Sequence, residues 1–216
     1  MKLYSIQPLL VYEHLLTGAS WTANPFAGEE PADDVFLRAY DWLAGQMRSY
    51  GRHPEDRATQ YPVWAWYWWA GLTRPKPDLR TASLRNWGNG GPNVLLTLDI
   101  PEDRVVLTDF DAWHWVLNYW YLGQSAEAEA FEARCEAVGP SYYREKPLAN
   151  ADLHNELQAS WRHIFDVETA GRLLEIAPSK NCVQGTFWEL HPGDVVDVVQ
   201  FSKKGRSRVL PPPVRP

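Results

Sequence analysis

The sequence predicts a single α+β domain built on a mainly antiparallel sheet, spanning residues 1–201, with residues 202–216 as a basic, Pro-rich tail. Three observations carry this. The chain has 216 residues, the size of one domain. Segments that alternate apolar and polar residues fall at both ends and in the middle, with helix-patterned segments between them. No internal repeat and no linker-like stretch divides the chain. Hydrophobic residues make up 45% and charged residues 22%. These are globular proportions, and they exclude wholesale disorder, collagen-like and coiled-coil architectures.

The elements follow in order. Residues 2–6 alternate and read as an opening strand. Pro8 sits where a first helical turn tolerates proline, and Leu9, Leu10, Tyr12, Leu15 and Leu16 follow before Gly18, giving a helix with a start and a stop. Residues 22–33 read as loop. Asp34 can cap a second helix in which Phe36, Tyr40, Leu43 and Met47 recur at helical spacing, closed by Gly51. Residues 61–69 are short and aromatic, which favours a strand. Its alternation puts Trp64, Trp66 and Trp68 on one face and Val63, Ala65, Tyr67 and Trp69 on the other. After a Pro- and Gly-rich stretch over 71–93, Val94, Leu96, Leu98 and Ile100 share one strand face, with Leu95, Thr97 and Asp99 opposite. A brief strand covers 105–107. Asp109 or Asp111 can cap a helix running to Leu122, ended by Gly123. Further helices are expected over 126–138, 152–165 and 168–176. Two last strands, 182–190 and 195–201, flank His191-Pro192-Gly193-Asp194, a hairpin-like connection. The tail, with Lys203, Lys204, Arg206, Arg208 and Arg215, reads as frayed and solvated.

Composition narrows the function classes. The formal net charge of −6 argues against a surface that coats nucleic acid or an anionic membrane as a whole, while leaving room for a local basic patch. Cys135 and Cys182 lie far apart with no CxxC, so neither a disulfide framework nor a zinc motif is present; they read as small buried hydrophobes. Residues 1–7 lack the apolar core and cleavage site of a signal peptide, and no apolar run approaches about 18 residues, the length that crosses a bilayer. A cytoplasmic protein with no membrane partner is expected. The six histidines show no dense metal-ligand spacing, so no metal site is expected. The chain holds 12 Trp, 10 Tyr and 7 Phe, enough for a large aromatic core or a core plus a stacking groove.

Four segments can carry chemistry. The loop from Thr73 to Gly91 places Arg74, Lys76, Arg80 and Arg85 beside three glycines in an acidic chain. Arginine suits bidentate capture of phosphate or carboxylate, so Arg74 and Arg80 are candidate anion contacts; the bland reading is a surface loop whose cations pair with nearby acids. On the helix after Asp109, Asp111, His114, Asn118 and Tyr121 form one stripe among apolar residues, on a helix expected to be largely buried. The stripe either lines a ligand cleft, with His114 as the proton-transfer or recognition group and Asn118 as a ligand contact, or it is bonded to neighbouring backbone. On the late strand, Gln184, Thr186 and Trp188 share a face, Glu189 lies opposite, and Gly185 marks a bulge or a close approach. The Trp64-Trp66-Trp68 face either stacks a ring or belongs to the core.

Taken together, Leu3-Tyr4-Ser5-Ile6-Gln7, the Tyr61-Pro62-Val63-Trp64-Ala65-Trp66-Tyr67 block, Lys76-Pro77-Asp78-Leu79-Arg80, the Asp109-Phe110-Asp111-Ala112-Trp113-His114 core and the Gln184–Glu189 segment resemble a family of bacterial proteins classed only as a domain of unknown function. The order of elements is also similar to ADP-ribosyltransferase-like domains. That resemblance implies NAD held in a cleft between two small sheets, with a first-strand His or Arg on the ribose, an aromatic residue that stacks the nicotinamide, and a late-strand Glu or Gln-x-Glu that serves the transfer. Here the first strand offers Tyr4, Ser5 and Gln7 and no His or Arg, Gln184 stands where the acid is expected, and Glu189 is the nearest carboxylate. Gln can bind a ribose hydroxyl but cannot act as a base. The expected function is recognition of a nucleotide or NAD, with Arg80 on phosphate, Trp66 under a ring, and Gln184 and His114 in polar contact. The alternatives are a non-enzymatic domain that binds a protein partner through a Trp-rich surface, and a hydrolase using Asp109 or Asp111 with His114.

Overall fold

A computed structural model describes residues 1–23, 34–55, 60–87, 91–139, 143–203 and 207–214. Most of the expected loop over 22–33, the side chain of the expected cap Asp34, the Gly88 to Gly90 part of the cationic loop, and Lys204, Arg206 and Arg215 lie outside the described residues.

The chain forms a mixed α+β domain. Its main sheet has seven strands in the order β5-β6-β3-β1-β4-β8-β9: β1 (Lys2–Pro8), β3 (Val63–Trp68), β4 (Asn93–Asp99), β5 (Val106–Asp109), β6 (Val183–Phe187), β8 (Val195–Phe201) and β9 (Arg208–Leu210). Every pairing given for these strands is antiparallel. A two-stranded sheet joins β2 (Trp21–Thr22) to β7 (Glu189–Leu190). The helices are α1 (Leu9–Leu15), α2 (Asp34–Ser49), the single-turn α3 (Ala82–Arg85), α4 (Phe110–Leu117), α5 (Ser125–Val138), α6 (Ala151–Ser160) and α7 (Val167–Leu173).

Alternation along the central strands divides the core into layers. Leu3, Val63, Ala65, Leu96, Leu98 and Phe187 face α1, which buries Val11, Tyr12 and Leu15 against them. Tyr4, Ile6, Trp66 and Leu95 face the other way and are roofed by Leu84 of α3 and by Leu79. Further along that second face, the large cluster of α2, α4, α5, α6 and α7 packs around Trp113, Phe131 and Trp161. The predicted faces of β4, and of β3 from Val63 to Trp66, are thus observed, but Trp69, expected on the face of Val63 and Ala65, packs on the Trp66 side, because the register shifts between Trp66 and Trp68 and the strand ends at Trp68.

Three local expectations are corrected. The helix after Asp109 starts as predicted, with the Asp109 carboxylate accepting the amide of Ala112, but it ends at Leu117 rather than Leu122. Tyr119 takes φ +61°, and the amide of Trp120 donates to Trp115 at 2.8 Å. The turn costs about 1–2 kcal/mol for a residue with a Cβ, but it drops Tyr119 and Leu122 into the helical core. Residues 182–190 and 195–201 do not pair as a hairpin. Instead β6 pairs with β3 and β5, and β8 with β4 and β9. Beyond Phe187 the chain leaves the main sheet to pair with β2, and a single 3₁₀ turn at Pro192–Asp194 carries it to the far side of β4. Residues 208–210, expected in a frayed tail, form β9, and the Tyr12 hydroxyl donates to the carbonyl of Pro211 at 2.9 Å.

Candidate functional site

Two groupings of the predicted residues emerge, one on the face of the main sheet and one at its end. On the sheet, β1, β3 and β6 are direct neighbours, and Tyr4, Trp66 and Gln184 occupy one cross-strand row. Alternation sends all three side chains to the same face. Trp66 is buried beneath Trp69, whose ring centroid lies 4.6 Å away, and Phe110, at 4.8 Å. Trp69, Phe110 and Gln184 are half-buried and form the upper layer. The Lys76 ammonium lies 5.8 Å from the centre of the Tyr4 ring, within cation–π range.

His114 stands at the rim of this patch, edge-on to Phe110 at 4.8 Å. The stripe that carries it is not buried: α4 turns Ala112, Trp113 and Val116 inward, while His114 and Asn118 are exposed. The apolar residues around the stripe suggested a buried helix, but Trp115 and Leu117 are only half-covered. The Nδ1 of His114 lies 2.9 Å from the carbonyl of Phe110, and the Asn118 amide donates to the carbonyl of His114 at 2.7 Å. A carbonyl only accepts, so Nδ1 carries the proton and, in the neutral ring, Nε2 is the basic nitrogen turned away from the helix. Asn118 serves its own helix end.

The cationic loop does not bring Arg74 or Arg80 to the row. Arg80 is exposed and forms a bidentate pair with Asp78 at 2.7 and 2.8 Å. Hydrogen bonding from Arg80 holds the Asp78 carboxyl down to about 2. Arg74 is exposed in the turn that returns to β3, with its amide donating to Gly71 at 3.0 Å. The loop contributes Leu79 and Leu84 instead, as a lid of apolar side chains.

Glu189 lies apart from the row, in a cleft of about 130 Å³ lined also by Arg52, His53, Glu55, Arg104 and His191. Ser20 fixes the His191 ring through a 2.6 Å contact to Nδ1, leaving Nε2 3.5 Å from Glu55. One donor atom each from Glu55, Glu189 and His191 falls within 4.8 Å of the others, a spacing able to hold a cation. Arg104 stands next to this trio. It donates to the carbonyl of Glu189 at 2.7 Å and pairs with Asp194 at 2.7 and 3.1 Å, so a fixed positive charge already sits there. Sequence reasoning named Glu189 but not its neighbours. Ser20, Glu55 and Arg104 come from separated segments that no local spacing links to Glu189, whereas His191 follows it by two residues.

The tryptophans are chiefly structural: of the twelve, Trp87 is exposed, and the rest are buried or half-buried. Cys135 is buried and Cys182 half-buried, both as free thiols. Burial pushes the Cys182 thiol up to about 11, which makes it a poor nucleophile at neutral pH. Among the described residues, no helix is long and apolar enough to cross a membrane.

No curated protein and no solved structure matches the chain. Residues 2–196 match the family described as Domain of unknown function (DUF3841), and over that span the chain belongs to it.

Proposed function

We propose that the chain is a nucleotide-recognising domain related to the ADP-ribosyltransferases, with its ligand lying over the row of Tyr4, Trp66 and Gln184. The observation that supports this is the adjacency of β1, β3 and β6 with those three positions in register. A first strand, an aromatic residue and a late strand are the elements from which the resemblance draws its ligand contacts, and here the late strand bears Gln184 in place of the acid. In this reading Trp66 is the floor. The half-buried Trp69 and Phe110 offer the stacking surface for a nicotinamide or adenine ring, the Gln184 carboxamide bonds a ribose hydroxyl, and Lys76 neutralises a phosphate. His114 supplies a basic Nε2 at the rim. Gln184 carries no titratable proton, so the row recognises the ligand and does not itself perform general acid–base work.

Isothermal titration of the protein with NAD, ADP-ribose and adenosine nucleotides tests the reading. Saturable binding is expected, weakened about tenfold or more in Gln184→Ala and Trp69→Ala, as the loss of about 1.4 kcal/mol requires. Circular dichroism should show both variants folded. Neither heat nor thermal shift from the wild-type chain at millimolar ligand would overturn it.

A further inference from the structure

A cavity of about 510 Å³ opens where α7, the segment that follows it and the turn after β3 meet. Its volume lies in the range of small-molecule sites, about 300–1,000 Å³. Most of its wall is apolar: Trp68 and Leu72 come from the β3 side, Val167 from α7, and Ile176 and Pro178 from the segment after α7. Leu72 is 62% exposed and Trp68 is half-buried. Tyr67 stacks on the Trp68 indole at 5.2 Å, so the indole meets the cavity with the surface that Tyr67 leaves. An exposed leucine beside a half-covered tryptophan is apolar surface that folding has not taken out of water.

The charges on this wall cancel. Glu168 and Arg172 stand one turn apart on α7 and pair at 3.2 Å, and Arg172 also donates to the Thr169 hydroxyl at 2.9 Å. A charged ligand would have to break this pair to find a counter-charge, whereas a neutral ligand leaves it intact.

One polar group on the wall is unsatisfied. Asn181 is only 4% exposed. Its Nδ2 donates to the carbonyl of Val167 at 3.1 Å. A carbonyl only accepts, so this bond fixes which way round the carboxamide lies. Oδ1 then has no hydrogen-bond partner among the described residues, an unfavourable state for a buried acceptor. Oδ1 carries two lone pairs, so a proton on the neighbouring Asp109 uses one at most and leaves the other for a ligand. Gly171, also on the wall, lies against the same carboxamide: a Cβ there would fall 3.1 Å from Nδ2 and 3.7 Å from Cγ. Glycine is unfavourable inside a helix, and at this position it keeps α7 from crowding Asn181.

We propose that this cavity binds a small, neutral, flat aromatic molecule bearing an N–H or O–H group, its ring against Trp68, Leu72 and Ile176 and its donor on Asn181 Oδ1. The site stands apart from the nucleotide row and does not depend on it.

Indole and benzofuran are the probes, followed by calorimetry on the full chain. The two share size and shape, but only indole has an N–H. Indole should bind saturably with a dissociation constant of about a millimolar or below. Benzofuran should bind about fivefold or more weakly, the scale of one neutral hydrogen bond, and this comparison needs no variant. Leu72→Asp puts a charge on the exposed part of the wall and should weaken indole about tenfold, with an unchanged melting temperature because the position is exposed. Three results would overturn the proposal: no saturable binding of indole at millimolar concentration, benzofuran bound as tightly as indole, or indole affinity unchanged in the Leu72→Asp chain, which would put indole elsewhere on the molecule.

Discussion

The carboxyl of Asp109 is fully buried at the start of α4. Its Oδ1 accepts the Ala112 amide at 2.8 Å, and its Oδ2 meets no hydrogen-bond partner among the described residues. The side chain of Asn181 lies beside it, with an Oδ1 in the same condition. Burial raises the Asp109 pKa, against the opposing pull of the Ala112 bond. A protonated Asp109 brings a donor to this pair of orphan oxygens. Because the folded pKa lies above the unfolded one, the folded state keeps a proton that the unfolded state has already released. Stability from this group is therefore full below the ordinary carboxylate pKa and falls as pH rises through the window up to the raised value. Asp109→Asn keeps an N-cap acceptor and removes the ionisation. The variant is expected to match the wild type at about pH 3.5, below the ordinary carboxylate value, and to exceed it at neutral pH. Parallel stability–pH curves from denaturant melts would rule this out. Asp78 is the exposed counterpart. Arg80→Ala should let its carboxyl climb from about 2 toward the ordinary range in a carbon-detected NMR titration, with the melting temperature unchanged, since exposed ion pairs contribute little.

At the scale of elements, the connection after β3 is held by a close backbone approach. Gly71 takes φ +80°, and a Cβ there would lie 1.9 Å from the carbonyl oxygen of Ser179. Gly71→Ala should cost about 2–5 kcal/mol, combining a left-handed residue with a Cβ and an overpacked contact against backbone. It should also release the 70–75 turn, which returns to β3 through Trp69 and Ala70. An urea melt with an unchanged midpoint would refute it. The sequence announced some elements and concealed others, for physical reasons. Strand β3 was legible because Val63, Ala65 and Tyr67 alternate with Trp64, Trp66 and Trp68, and one-sided burial fixes that period. Asp109 was legible as a cap because its chemistry is local. The end of α4 was not, since Tyr119 adopts a conformation that its residue type disfavours and that only tertiary burial explains. Pro192-Gly193 imitated a hairpin turn, yet strand partners are chosen non-locally, and β2 and β4 claimed the flanking strands. The candidate site divides in the same way. Trp66 and Gln184 were visible from strand alternation. Trp69 joins the roof through a register shift after Trp66 that strict alternation does not foresee, while the place of Phe110 over Trp66 and of Glu55 beside Glu189 and His191 arises from contacts between segments that no spacing rule connects.

Across the whole molecule, the sheet has two edges of different character. At one end β5 pairs on one side with β6, and the 3₁₀ turn after α6 packs near it. At the other end, β8 is sealed by the three residues of β9. That short strand buries little apolar surface, since Val209 is 71% exposed, so its role is to cover the hydrogen-bonding edge of Val198, Val199 and Gln200. Short edge strands that carry charge or adjoin proline limit pairing with other chains, and this one begins with Arg208 and is followed by Pro211, Pro212 and Pro213. Removing residues 203–216 deletes the ladder and the bond from Tyr12 to Pro211, bonds with a net value of about 0.5–1.5 kcal/mol each. The expected loss is roughly 1–3 kcal/mol, read as a lower melting temperature. The greater effect should be on association. The uncovered β8 is a seven-residue strand, VVDVVQF, rich in valine and carrying a single charge, the composition that favours intermolecular pairing. Concentration-dependent light scattering should therefore appear in the truncated chain and be suppressed by Val199→Lys on the truncated background. A truncated chain that stays monomeric at high concentration would show that β9 is not what keeps this edge from other molecules.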